Sequence, residues 1–269
     1  MVDGGATTTA ALKTAAGAAI APTRMSVNTK SGFSIIKAYT TNVQANDMTE
    51  SVPHGLTQTP DFILSKPLTS THPWQVYHKN GYSGNPPNNL QGLNFTTADP
   101  FENSGYKTWE VTNSLIKFGR QIIENNNDAS GNPNEIIFYA WHSVPGYSAF
   151  GYYEGNASTD GPFIYTGFKP AWLMIKNITT DSDYTSWGIY DNSRNPNNQM
   201  SNLLWANKTA TEGYRGDGTN TNNLVGPLDF LSNGFKVRST ACDEFNNDGG
   251  KKFIYMAFAE QPTNFTTAR

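Results

Sequence analysis

Apolar residues along this chain recur with the period of a β-strand, not of a helix. GFSIIKAY (32–39) alternates, with Phe33 and Ile35 on one face and Ser34 and Ile36 on the other, as a half-buried strand does. DFILSK (61–66) and AWLMIK (171–176) are nearly continuous apolar runs just after a proline, the pattern of strands buried on both faces. QVYH (75–78) and GIYD (188–191) read as short strands, and FIYMAFAE (253–260) is the longest apolar run and a candidate for a sheet centre. Turn clusters separate them, among them Asn80-Gly81, Ser83-Gly84-Asn85-Pro86-Pro87 and Asp248-Gly249-Gly250. Helical spacing is confined to residues 8–20 and 199–207, enough for a turn or two.

The pattern occurs twice. GFSIIKAY (32–39) matches GYSAFGYY (146–153), and SVPHGLTQTPDFILSK (51–66) matches GPFIYTGFKPAWLMIK (161–176), which pairs Pro60 with Pro170 and Lys66 with Lys176. PWQVYH matches SWGIYD, pairing Trp74 with Trp187 at an offset of 187 − 74 = 113. NSLIKF (113–118) aligns loosely with NGFKVR (233–238), offset 120, and IIFYAWHSVP (136–145) with FIYMAFAEQP (253–262), offset 117. The blocks keep their order while the offset drifts by loop-sized steps, so the chain reads as a duplication. The predicted architecture is all-β: two tandem β-sandwich domains of jelly-roll or concanavalin-like type, behind an extended N-terminal arm. The arm spans 1–30, the first repeat 31–145 and the second 146–269.

Several of these strings carry a resemblance. "VPHGLTQTPDFILSK", "WQVYH", "GFSIIKAYTTN", "TGFKPAWLMIKN", "YDNSRNPNN", "DFLSNGFKVRS" and "FIYMAFAEQP" resemble an uncharacterised tandem repeat domain of marine bacteriophage virion and tail-fibre proteins. The resemblance covers about residues 30–262 and brings no catalytic signature with it. It implies a lectin-like β-sandwich in a virion assembled in the host cytoplasm. The partners it implies are other virion proteins of the capsid or tail, with host-surface glycan as an alternative.

Composition narrows the chemistry. The net charge is −3, the pI about 5.8, and no basic block is present, which speaks against nucleic-acid binding. No stretch approaches the roughly 20 apolar residues of a membrane span. Residues 5–22 are alanine-rich, interrupted by Lys13 and led by Asp3, unlike a signal peptide. Cys242 is the one cysteine, which excludes an internal disulfide and fits a reducing compartment.

Candidate chemistry is thin. His54, His72, His78 and His142 all fall in the first repeat and read as packing or surface residues. The Asn/Asp/Gly loops at 125–132 and 243–250 offer Asp128, Asp243 and Asp248 as weak calcium ligands, with turn formation as the alternative. Calcium is the one cofactor to consider. Asp181 and Asp183 sit in a polar turn, and no Gly-x-Ser-x-Gly elbow occurs, so glycosidase and serine-hydrolase readings lack support. The protein is expected not to be an enzyme.

Aromatics carry the remaining signal. Trp74 and Trp187 hold the same place in both repeats and read as scaffold. Tyr82, Tyr106, Trp109 and Trp205 fall in the divergent stretches 79–112 and 192–228 and are expected to contact a subunit or a glycan. The Ala/Thr/Gly-rich arm is expected to order only against a neighbouring subunit or the capsid. The leading expectation is a non-enzymatic virion structural protein, a capsid decoration, head-fibre or tail-associated subunit, docked by its arm. It should form a homo-oligomer, with a trimer favoured. A glycan-binding tail-fibre protein and a polysaccharide depolymerase are the alternatives.

Overall fold

A computed structural model describes residues 9–41, 48, 50–81, 93–97, 108–119, 122, 133–180, 185–213, 227–238 and 247–261. Cys242, Asp181 and Asp183 lie outside these. The described residues form one helix and seventeen strands, an all-β architecture. The chain divides into two compact units, Met1–Asn94 with Phe101–His142, and Phe95–Pro100 with Ser143–Arg269. The sequence puts the boundary at 145/146; the structure moves it to 142/143 and gives Phe95–Pro100 to the second unit. There the Phe95 ring lies 5.0 Å from Trp187.

The first unit holds β1 (Arg24–Asn28), β2 (Phe33–Tyr39), β3 (Glu50–Pro53), β4 (Phe62–Pro67), β5 (Gln75–His78), β6 (Leu93–Asn94), β7 (Trp109–Val111), β8 (Leu115–Phe118) and β9 (Glu135–Trp141). They form two antiparallel sheets, β1-β2-β9-β4-β5-β6 and β3-β8-β7. Ile36, Ile63 and Phe138 from the larger sheet and Val52, Trp109, Ile116 and Phe118 from the smaller share one buried core. That is a β-sandwich.

The second unit holds β10 (Ser148–Glu154), β11 (Phe163–Tyr165), β12 (Pro170–Asn177), β13 (Gly188–Asp191), β14 (Leu204–Trp205), β15 (Leu228–Leu231), β16 (Gly234–Val237) and β17 (Lys252–Ala259). Its sheets run β10-β17-β12-β13-β14 and β11-β16-β15. Leu173, Ile175, Tyr190, Phe253 and Tyr255 meet Ile164, Leu228, Phe230, Phe235 and Val237 in its core. Strand for strand this is the order of β2 to β9; among the described residues β1 has no counterpart.

The two central runs behave as their apolarity predicts. In β12, Leu173 and Ile175 face the core while Met174 and Lys176 point to the other side, yet all four are buried. In β4, Ile63 joins the core and Phe62, on the opposite face, is also buried.

Register corrects the sequence alignment in three places. Gly32 accepts the His142 N–H and Tyr147 accepts the Ala259 N–H, so Gly32 corresponds to Tyr147 at 147 − 32 = 115, one residue beyond the match of Gly32 with Gly146. A one-residue slip flips every side chain to the other face: Ile36 and Gly151 share the core side, not Ile36 and Phe150. The β7–β8 and β15–β16 hairpins align at 228 − 109 = 119, not 120, because Trp109 pairs with Phe118 as Leu228 pairs with Val237. Val52 corresponds to Ile164 at 164 − 52 = 112. The difference from 110 is taken up between Gly55 and Pro60, where the second unit is two residues shorter. Gly55 (φ +71°) and Gly167 (φ +83°) occupy this matching turn, in the left-handed region that glycine enters without strain.

Among the described residues the arm is not an extended tether awaiting a neighbour. Thr9–Ala16 form helix α1. β1 then pairs with β2 from Arg24↔Lys37 to Asn28↔Phe33. Its sequence RMSVN alternates, so Met25 and Val27 enter the first core with Ile20. Ala19 and Ile20 donate their N–H groups to Ser51 Oγ and Ser51 O, each at 2.9 Å. The surface that orders residues 9–28 is therefore the chain's own sandwich. Gly55 also fits this closure, since a Cβ there would come within 2.9 Å of Val27 Cγ2. Residues 199–207 hold no helix; β14 runs there instead.

Candidate functional site

Two of the four aromatic contact candidates are core residues. Trp109 is fully buried, in β7, with its ring 6.2 Å from Tyr77 and 6.4 Å from Phe138. Its counterpart is Leu228, equally buried. The expectation of a subunit or glycan contact fails here because the side chain has no surface to offer. Trp205 is 6 % exposed; it pairs with Gly188, packs in the second core, and has Lys208 Nζ 5.8 Å from its ring centroid. Its counterpart, across from Gln75, is Asn94. The copies differ at these positions because each core is filled differently. Tyr82 and Tyr106 lie outside the described residues.

Asp128 and Asp243 also lie outside them. Asp248 sits in a turn whose geometry is set by amides: its carbonyl accepts the Lys251 N–H at 3.1 Å. Asn247 accepts the Asn156 N–H through Oδ1 at 3.0 Å and donates through Nδ2 to Ser158 O at 2.7 Å. That is turn chemistry, the alternative to a calcium loop. No three His, Cys, Asp or Glu side chains gather among the described residues.

His54 serves the scaffold of the first unit. His54 is fully buried. The Leu56 N–H donates to its Nδ1 at 3.1 Å, and its Nε2 lies 3.1 Å from Thr112 O. With Nδ1 accepting, Nε2 carries the proton and donates. Thr166 supplies the acceptor half of this role in the matching turn, its Oγ1 accepting the Phe168 N–H, but it donates to Phe168 O and not across to the neighbouring hairpin. Burial pushes His54 down to about 4, with the nearby His142 adding to the fall against the hydrogen bond to Thr112. Folded His54 therefore refuses a proton that the unfolded chain takes below pH 6.5. The stability it supports is complete above pH 6.5 and declines as pH falls towards 4. The gap from 6.5 to about 4 corresponds to about 3 kcal/mol. Denaturant unfolding of the first unit at pH 7.5 and pH 4.5 should show most of that loss. His54→Thr, which borrows the residue of the second unit, should remove that share of the pH dependence.

The best-formed polar site lies in the second unit, after β13. The Arg194 guanidinium ties together residues 189–212. Nε bonds Asp191 Oδ2 at 2.6 Å, Nη1 bonds Asn202 O at 2.6 Å and Glu212 Oε1 at 3.0 Å, and Nη2 bonds Ile189 O at 3.3 Å. Burial raises the Asp191 carboxyl, but the Arg194 N–H, its guanidinium and the Ser193 N–H outweigh this and hold it below the usual carboxylate range. Asn195 Oδ1 accepts the N–H groups of Ser201 and Asn202 at 2.8 and 2.7 Å. Asn198 pairs with Phe230 as a strand would, donating to its carbonyl at 3.0 Å and accepting its N–H at 2.9 Å.

The loop is thus fixed on both sides, with Asn197 and Gln199 held at its exposed crest. The sequence marks 192–228 as divergent but does not single out Arg194, because a lone arginine among asparagines has no spacing signal. Arg194→Ala should lower the stability of the second unit by about 1.5–3 kcal/mol, the range for hydrogen bonds to a charged group. It should also speed amide exchange at Ser201 and Asn202.

One family model matches residues 6–262, described as a domain of unknown function (DUF7483). The chain belongs to that family. The match takes in α1, β1 and both sandwiches together, so the arm lies within the family's own span. Neither the curated proteins nor the solved structures contain a match to the chain.

Proposed function

We propose that the chain is a non-enzymatic structural protein of a bacteriophage particle, a capsid decoration, head-fibre or tail-associated subunit built from two lectin-like sandwiches. The observation that carries this reading is the repeated strand order, with Trp109 and Trp205 spent on the two cores and Trp187 buried against Phe95. A rigid module used twice, differing mainly in its loops, suits a protein that presents surfaces to other subunits. The resemblance of the strand-forming strings to phage repeat domains points the same way. Residues 18–28 of the arm are taken up by the first sandwich, which weakens the case for the arm as the docking element. Contacts to the particle then fall to the divergent loops. Peptide mass spectrometry of purified virions of the encoding phage should find the chain in fixed proportion to the capsid or tail proteins. Its absence from washed particles would refute the reading.

The Arg194 loop favours a second reading, recognition of host-surface glycan. Amide side chains on a preformed loop are suited to sugar hydroxyls. A glycan array with the full chain should then give a signal that Arg194→Ala abolishes; a blank array counts against it.

A further inference from the structure

In the first unit, residues 18–28 close one side of the sandwich, running from the Ser51 contacts on β3 to the edge of β2. The matching side of the second unit lies between β10 and β11. Among the described residues no segment covers it. The chain passes from β9 into β10 through a tight turn, in which the Ser148 N–H donates to Val144 O at 2.9 Å, so no length is left to lie there. The side chains of these strands are accordingly bare: Tyr152 is 49 % exposed, Phe163 46 % and Tyr165 68 %. Phe163 stands where Ser51 is buried in the first unit, since 163 − 51 = 112.

The backbone of β10 defines what fits this edge. Tyr147 O and Gly155 N–H bond across to Ala259 and Lys251 on the β17 side. Antiparallel alternation then turns the N–H and C=O of the even-numbered residues outward. The first of these are engaged: Ser148 with Val144, and the Phe150 N–H with Ser143 Oγ at 3.2 Å. Tyr152 and Glu154 present theirs to the open side. A row of such groups is a template for another strand.

We propose that β10 pairs with β10 of a second copy, antiparallel, across a two-fold axis centred on Tyr153. This register sets Tyr152 opposite the second copy's Glu154, and the reverse, so that the outward groups of both residues are satisfied on both chains. Charge agrees with it. Lys252 on β17 stands opposite its own Glu154 and its Nζ lies 4.4 Å from the centroid of the Tyr152 ring, so the second copy's Glu154, arriving opposite Tyr152, completes an alternating Glu154–Lys252 cluster shared by both chains. The contact is self-complementary, as a two-fold interface must be, and joins the two five-stranded sheets into one of ten. It stands independently of the particle assignment.

Sedimentation velocity on the full chain should show a concentration-dependent dimer. Tyr152→Pro removes one outward N–H and leaves the β17 ladder alone, a change tolerated at an edge; it should give a monomer whose melting midpoint matches that of the wild-type chain diluted until it is monomeric. Glu154→Lys sets like charges against each other and should weaken the dimer by about tenfold or more. Glu154→Lys combined with Lys252→Glu should recover it. A wild-type chain that stays monomeric, an oligomer indifferent to Tyr152→Pro, or a charge swap without recovery would each overturn the proposal.

Discussion

A chain lacking residues 1–28 is expected to lose its first sandwich while keeping its second. The deletion removes Ile20, Met25 and Val27 from the first core and strips β1 from β2. Full burial of one such side chain is worth about 1.5–3 kcal/mol, so three approach the roughly 5–15 kcal/mol that holds a whole domain. The newly bared edge of β2 adds an aggregation hazard. Thermal unfolding followed by near-ultraviolet circular dichroism should show one transition in place of two, or the variant should be insoluble. A soluble variant with both transitions intact would make the arm dispensable to the fold and return it to the role of a tether.

Trp109→Ala should destabilise the first unit by about 3–5 kcal/mol, the range for truncating a buried aromatic. The indole sits between Tyr77 and Phe138 with no exposed surface. Trp109→Phe, which keeps a ring in the site, should cost much less. Urea unfolding distinguishes the two. A Trp109→Ala protein of unchanged stability that failed only in assembly or glycan binding would restore the surface reading of this residue.

The strands, their pairing into two sets and the doubly buried runs at 61–66 and 171–176 were legible because burial on a sheet leaves a period-two or continuous apolar trace. The arm was not. Its helix is alanine-rich with no buried residue, and its strand shows only Met25 and Val27 above a polar background. The alternation RMSVN was the available signal, too short to separate from chance. Trp109 and Trp205 were misread because a sequence comparison treats difference between copies as surface. In these sandwiches Trp109 stands where the second unit buries Leu228, and Trp205 stands where the first buries Asn94, so difference between copies marks buried positions as readily as exposed ones. Register was legible only to within a residue or two, since identical letters such as Gly32 and Gly146 outvoted the hydrogen-bonding phase. The Arg194 site was invisible for a different reason. Its partners, Ile189, Asp191, Asn202 and Glu212, come together through loop geometry that no local pattern encodes.

The functional consequence turns on the arm. With Ile20, Met25 and Val27 committed to the first sandwich, the proposed particle role would place its contacts on the loops and the open β10 edge. Amide hydrogen exchange on the isolated full chain tests this most directly. If the arm belongs to the sandwich, the amides of Arg24, Ser26 and Asn28, which face β2, will exchange slowly, alongside those of β9, with no partner protein present. Exchange at those three positions as fast as in an unstructured peptide would contradict the account.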